Sequence, residues 1–177
     1  MIIKIDIDGV IRDMMTPVLS IYNKYFPRQQ KVYEDITEYN LDKCMPQFMG
    51  KGAYICFELN SKLVFQDALP YSEVYDALNT LKQQGHTIIL VTYQRTYENK
   101  VHTLNFLQKW GLPYDSIIFT RDKYLVTGDV LIEDNPYYLE DPKEKSTVIC
   151  INHPYNQNIS PSIPRYDSLY QAIQHLN

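Results

Sequence analysis

The stretch Ile2-Ile3-Lys4-Ile5-Asp6-Ile7-Asp8-Gly9-Val10 decides how the chain reads. It is a run of β-branched residues that ends in two carboxylates one residue apart, with a glycine directly behind them, and it predicts a buried strand whose C-terminal end is charged. In a strand, Asp6 and Asp8 would share a face, where two like charges repel each other and are costly to desolvate. A cation between them removes that cost. A hard divalent ion such as Mg²⁺ takes carboxylate and carbonyl oxygens and works beside phosphate, so the stretch points to metal-assisted phosphoryl chemistry. The plainer alternative is a solvated strand end followed by a turn, since Asp and Gly are ordinary turn residues.

The rest of the composition narrows the field. The 177 residues fit one domain, or one domain with a small insertion, and 45% hydrophobic with 21% charged residues is an ordinary globular balance. A net charge of −4 argues against a nucleic acid polymer as partner, because polyanion binding needs clustered Lys and Arg. Cys44, Cys56 and Cys150 are odd in number and contain no C-x-x-C pair, which reads as buried, reduced thiols. Met1 is followed at once by strand-like residues rather than by a signal peptide, and no apolar run is long enough for a membrane helix. The expectation is a soluble, cytoplasmic protein without a membrane partner, and self-association into a homodimer is compatible with it.

Along the chain, Thr16-Pro17 reads as the cap and first position of a helix over 18–25, and residues 28–69 as an irregular, mostly helical insertion. Ser72 is the expected cap of a helix with Val74, Leu78 and Leu81 on its apolar face. Strands follow at 87–91, 116–120, 129–132 and 147–151, with a helix over 97–110 whose apolar face carries Val101, Leu104 and Leu107. Residues 152–164 read as a surface loop, and Asp167 or Ser168 as the cap of a closing helix. Alternating strands and helices of this length predict an α/β, doubly wound parallel sheet of five strands, in which ligands bind at the carboxyl ends of the strands. The division expected is a core of residues 1–14 and 71–177 with a small helical cap, 15–70, inserted after the first strand.

That topology gathers scattered polar residues. Asp6 and Asp8, then Thr92, then Arg121 and Lys123, then Glu133 and Asp134 each follow a predicted strand. Carboxylates, a hydroxyl and an ammonium at one sheet edge are the groups phosphoryl transfer requires. The four histidines, His86, His102, His153 and His175, form no i, i+4 pair, and surface or loop roles are expected for all of them.

The set Asp6-Ile7-Asp8-Gly9-Val10, Thr92, Lys123 and Asp129-Val130-Leu131-Ile132-Glu133-Asp134 resembles the four motifs of the haloacid dehalogenase (HAD) superfamily of phosphohydrolases, in their usual order. Phe119-Thr120-Arg121-Asp122-Lys123, and Phe57-Glu58-Leu59 leading into Leu69-Pro70, look more narrowly like the 5′(3′)-deoxyribonucleotidases. The resemblance implies a Mg²⁺-dependent phosphatase acting on nucleoside monophosphates, with Asp6 as nucleophile, Asp8 as acid and base, and Mg²⁺ held by Asp6, the Asp8 carbonyl and Asp134. Thr92 and Lys123 would bind the phosphoryl group. Tyr93 stands where the family usually has a small hydroxyl residue, and Glu133 where it commonly has aspartate. Lys100 matches an additional phosphate-contacting lysine across a shorter loop, with a solvated helix lysine as the alternative. Phe48, Tyr54, Phe57 and Phe65 are candidates for stacking on a base or for packing the cap against the core. A phosphatase for another small metabolite, and a phosphate-binding protein without turnover, are the competing functions.

Overall fold

The computed structural model describes residues 1–176. The first run forms β1 (Ile2–Ile5), buried on both sides because it lies in the middle of a parallel sheet. A tight turn at Gly9 leads into β2 (Arg12–Asp13) and α1 (Met15–Tyr25). Three short helices follow, α2 (Leu41–Cys44), α3 (Gly52–Tyr54) and α4 (Ser61–Phe65), with a π-helical turn at Ile55–Leu59 between the last two. β3 (Leu69–Pro70) then returns to β2, and the pairs Arg12–Pro70 and Asp13–Leu69 form an antiparallel ribbon at the base of the insertion.

The regular part alternates: α5 (Val74–Gln83), β4 (Thr87–Thr92), α6 (Tyr97–Trp110), β5 (Ser116–Phe119), β6 (Val130–Glu133), α7 (Pro136–Leu139), β7 (Thr147–Ile151), β8 (Arg165–Tyr166) and α8 (Leu169–Ile173). The sheet order is β5-β4-β1-β6-β7-β8, and every pair is parallel. From β1 the chain winds outward through β4 to β5, then returns to β6 on the other side of β1. Its direction therefore reverses around β1, and a crevice opens there at the carboxyl ends of the strands.

Two large hydrophobic clusters hold most of the buried apolar residues, beside a small third one of Leu139, Cys150 and Ile159. One joins β1, β4, β6 and β7 to α5, α6 and α8, through residues such as Ile5, Leu90, Ile132, Leu78, Phe106 and Ile173. The other lies mainly within the insertion, with Val18, Tyr22, Met45, Phe48, Cys56 and Val64, and is joined from outside it by Tyr155. All three cysteines are free and buried. No helix among the described residues is long and apolar enough to cross a membrane.

Four sequence expectations change. The sheet has six strands rather than five, because β8 is a two-residue edge strand with no apolar run to announce it. The first turn of α1 is capped by Asp13, which accepts from the Thr16 N–H at 3.0 Å and the Thr16 hydroxyl at 2.6 Å, so Thr16 is capped rather than capping. α5 begins without a side-chain cap behind Glu73, whose φ of 63° is left-handed, and Ser72 makes no cap. The buried face of α6 is Asn99, Thr103, Phe106 and Leu107, while Leu104 is 41% exposed. The Thr103 hydroxyl turns inward to meet a buried arginine, Arg12. The expected cap of α8 is in place, Ser168 accepting from the Gln171 N–H at 3.1 Å, and Thr96 caps α6 in the same way, accepting from the Asn99 N–H at 3.1 Å.

Lys4 is fully buried in the middle of β1, and its ammonium reaches both oxygens of Glu144 at 2.8 Å. Its stem lies over Gly128, where a Cβ would come within 2.8 Å of the Lys4 Cγ. Removing the acid leaves a buried charge unpaired, so Glu144→Ala is expected to cost about 3–5 kcal/mol of unfolding free energy. Exchanging both residues for apolar ones of similar volume is expected to be close to neutral. Urea unfolding of the single and double variants measures both.

Candidate active site

The site is built at the ends of β1, β4 and β6. Asp6 extends β1 by one residue, its N–H bonding the Ile132 carbonyl at 3.0 Å, and this places its side chain beside the end of β6. Lys123 comes from the turn after β5 and is 2% exposed. Its ammonium donates to Asp6 Oδ1 at 2.7 Å and to Glu133 Oε2 at 2.5 Å, and it lies 4.4 Å from the centre of the Tyr138 ring.

Glu133 is fully committed. Its Oε1 accepts the backbone N–H groups of Asp134 at 3.1 Å and Asn135 at 3.0 Å, which fixes the turn that presents Asp134. Asp134 Oδ2 accepts from the Tyr155 hydroxyl at 2.5 Å, whereas Oδ1 is buried with no partner. One carboxylate oxygen each of Asp6, Glu133 and Asp134 lies within 4.8 Å of the others. Burial pushes the pKa values of all three acids up to about 7, and the repulsion between neighbouring acids adds to it. Burial pulls the Lys123 pKa down, but Asp6 and Glu133 outweigh it and hold the ammonium above its usual range.

Gly9 makes this crowding feasible. Its φ of 82° suits glycine, and a Cβ there would overlap the Asp134 carboxyl group. The Gly9 carbonyl accepts from His153 Nε2 at 2.6 Å, so Nε2 carries the proton. His153 Nδ1 then accepts from the Tyr33 hydroxyl, which comes from the insertion. Burial lowers the His153 pKa, in keeping with this neutral tautomer. The Tyr155 ring stacks on His153 at 5.0 Å, and Asn156 Nδ2 donates to the Asp134 carbonyl at 2.8 Å.

Asp8 stands at the wall of the adjoining cavity. Its Oδ1 accepts from Arg12 Nε at 2.8 Å, and its Oδ2 from Gln94 Nε2 at 2.7 Å. The cavity, about 320 Å³, reaches from Asp6, Asp8, Thr92 and Lys123 to Phe57 and Phe65 of the insertion. Across its mouth Arg95 pairs with Glu58 at 3.3 Å.

The structure thus brings together Asp6, Asp8, Thr92, Tyr93 and Lys123 around one cavity, with Asp134 beside Asp6. Tyr93 accepts from Arg121 Nη2 at 2.7 Å and has that guanidinium 4.6 Å from its ring centre. Lys100 does not line the cavity; its ammonium lies 5.8 Å from the Phe119 ring centre. Of the four aromatic candidates, Phe57 and Phe65 line the cavity, Phe48 is packed among Tyr22, Tyr25 and Phe26, and Tyr54 is exposed and does not line the cavity.

The expectation of surface or loop roles for all four histidines fails at His153, which is 6% exposed and bonded to the turn behind the acids. The stretch expected as a surface loop likewise buries Tyr155 and Asn156 against Asp134. Sequence reasoning also missed Arg12 and Gln94. The available signal was a charged residue four positions after Asp8 in an otherwise apolar run, Val10-Ile11-Arg12.

Comparison with known proteins fits this geometry. The family model described as "5' nucleotidase, deoxy (Pyrimidine), cytosolic type C protein" matches residues 1–176. A curated relative from Chlorobaculum tepidum, named "Putative 5'(3')-deoxyribonucleotidase", is 25% identical over 171 residues, covering 89% of this chain and 82% of its own. Among solved structures, a "predicted phosphoglycolate phosphatase" from Haemophilus somnus 129PT superposes with a TM-score of 0.65 at 13% identity, over 99% of this chain and 97% of its own. The D,D-heptose 1,7-bisphosphate phosphatase of Burkholderia thailandensis gives 0.57 at 10% identity, over 99% and 98%. These two likenesses are of fold alone, whereas the family match spans nearly the whole sequence. The chain belongs to the cytosolic type C 5′-nucleotidase family of HAD-superfamily phosphatases, and is a hydrolase of phosphoric monoesters.

Proposed function

We propose that the protein removes phosphate from deoxyribonucleoside and ribonucleoside monophosphates through an aspartyl-phosphate on Asp6, with Mg²⁺ as cofactor. The observation that carries the proposal is the buried Asp134 Oδ1, which has no partner in a residue whose carboxylate comes within 4.8 Å of that of Asp6. Packing acids this closely is costly without a cation, and Lys123 alone does not balance them. The donor set is all oxygen, which suits a hard divalent ion. Asp6, Asp134 and the Asp8 carbonyl would hold it, since Glu133 is already spent on Lys123 and two backbone N–H groups. Once bound, Mg²⁺ supplies charge neutralisation for the phosphoryl oxygens.

The protein's own groups carry the steps. Asp6 attacks phosphorus, the bond from phosphorus to the nucleoside oxygen breaks, and that oxygen takes a proton from Asp8. Asp8 then takes a proton from water, whose oxygen attacks the phosphorus of the aspartyl-phosphate; inorganic phosphate leaves and Asp6 is restored. Lys123 and Thr92 orient the phosphoryl group and stabilise its charge, and the aromatic wall of Phe57 and Phe65 offers a face to the base. Residues 15–70 act as the cap that selects substrate.

The nucleotide assignment is tested on a panel of deoxyribonucleoside and ribonucleoside monophosphates with and without Mg²⁺. Phosphate release that chelation stops and Mg²⁺ restores is expected; activity confined to non-nucleotide phosphomonoesters would overturn the substrate assignment. Asp6→Asn is expected to abolish turnover while leaving the thermal melt in place, because an amide is not a competent nucleophile.

Tyr155 orients Asp134, and loss of such a supporting hydrogen bond costs about 10- to 100-fold in metal affinity or activity. Tyr155→Phe is therefore expected to raise the Mg²⁺ concentration for half-maximal activity, measured by titration, with little change in the nucleotide KM.

A further inference from the structure

Arg12 is fully buried, yet it stands next to a solvent-reaching cavity rather than deep in either hydrophobic cluster. Its guanidinium is engaged on every side. Nε donates to Asp8 Oδ1 at 2.8 Å, and Nη2 lies 2.7 Å from the same oxygen. Nη2 also donates to the Thr103 hydroxyl of α6 at 3.2 Å, and Nη1 to the Phe65 carbonyl at the end of α4. The Phe65 and Phe106 rings lie with their centres 5.0 Å from the guanidinium carbon.

An arginine whose only task was structural would be expected to bury its carboxylate partner too. Asp8 instead keeps 17% of its side chain exposed and lines the cavity, and Gln94 holds its second oxygen from the other side. The carboxylate is therefore fixed at both oxygens while one face remains open to the site. A planar fork can reach the acid, the carbonyl and the hydroxyl together, which the point charge of lysine cannot do.

We propose that Arg12 is the positioning residue for Asp8, holding its carboxylate in the orientation that serves the leaving nucleoside oxygen, and that the insertion and α6 set this orientation through Phe65 and Thr103. The inference rests on the acid and base role given to Asp8 above. A proton donor acts only within hydrogen-bond reach of the leaving oxygen, so a small tilt of Asp8 is costly for a poor leaving group and nearly harmless for a good one.

The test compares Arg12→Lys, Thr103→Val, Asp8→Asn and the Arg12→Lys/Asp8→Asn double variant in first-turnover assays with Mg²⁺. The substrates are a deoxynucleoside 5′-monophosphate, whose alkoxide needs protonation, and p-nitrophenyl phosphate, whose leaving group does not. Arg12→Lys is expected to slow the nucleotide reaction about tenfold or more, within the range general acid catalysis contributes, with KM nearly constant and p-nitrophenolate release little changed. Thr103→Val leaves Asp8 untouched and is expected to give a smaller loss of the same selectivity, which keeps the test decisive if Arg12→Lys fails to fold. In the double variant the Arg12 change should add little to the loss from Asp8→Asn, as for residues acting as a unit. Equal losses on both substrates, or losses that multiply with that of Asp8→Asn, overturn the role of Arg12. If Asp8→Asn itself shows no preference for the nucleotide reaction, the acid role of Asp8 is what fails.

Discussion

An ammonium held between buried acids is the constraint on which the site depends. Lys123 binds Asp6 and Glu133 at once, and Asp134 lies close by with one oxygen unanswered. Glu133 and Asp134 come from one segment, but Asp6 and Lys123 have to be brought to them from elsewhere in the chain. The group needs the ends of β1 and β6 side by side, which the parallel register Ile5–Ile132 supplies, and a turn after β5 that brings the lysine over them. Where the winding of the sheet reverses, those ends are free of crossing connections. The fold thus creates the one edge at which this expensive arrangement can be assembled.

Much of this was legible in the sequence. The apolar runs ending in Asp6 and in Glu133-Asp134 gave both the strands and the acids, and the alternation between them gave the parallel sheet. Legibility failed where a residue's role depends on distant partners. Arg12 reads as part of the segment that leaves the sheet after the first strand, but its meaning comes from Phe65 and Thr103, 53 and 91 residues away. His153 and Tyr155 lie in a stretch rich in Asn and Pro that reads as surface, and only packing against the Gly9 turn and Asp134 buries them. β8 escaped notice because two residues carry no periodicity. The caps of α1 and α5 differed because the preceding turn, rather than the helix, sets where each first turn begins.

The insertion is tied to the core by chemistry rather than by apolar area alone. Tyr33 reaches His153, which bonds the Gly9 carbonyl; Glu58 reaches Arg95; and the Phe65 carbonyl holds Arg12. Each tie ends within a few residues of the acids or their supports. The phenylalanines that line the cavity come from the same segment, so the surface facing the substrate and the supports of the acids are mechanically joined.

The ribbon of β2 and β3 gives the insertion a further property. The chain departs and rejoins at directly paired residues, Arg12 with Pro70 and Asp13 with Leu69, so the two ends of the excursion lie side by side. Loop-closure cost grows only slowly with length, so lengthening what lies between would barely perturb the sheet. Length in that excursion is therefore cheap for the sheet, whereas Tyr33, Glu58 and Phe65, which reach the supports of the acids, are not interchangeable.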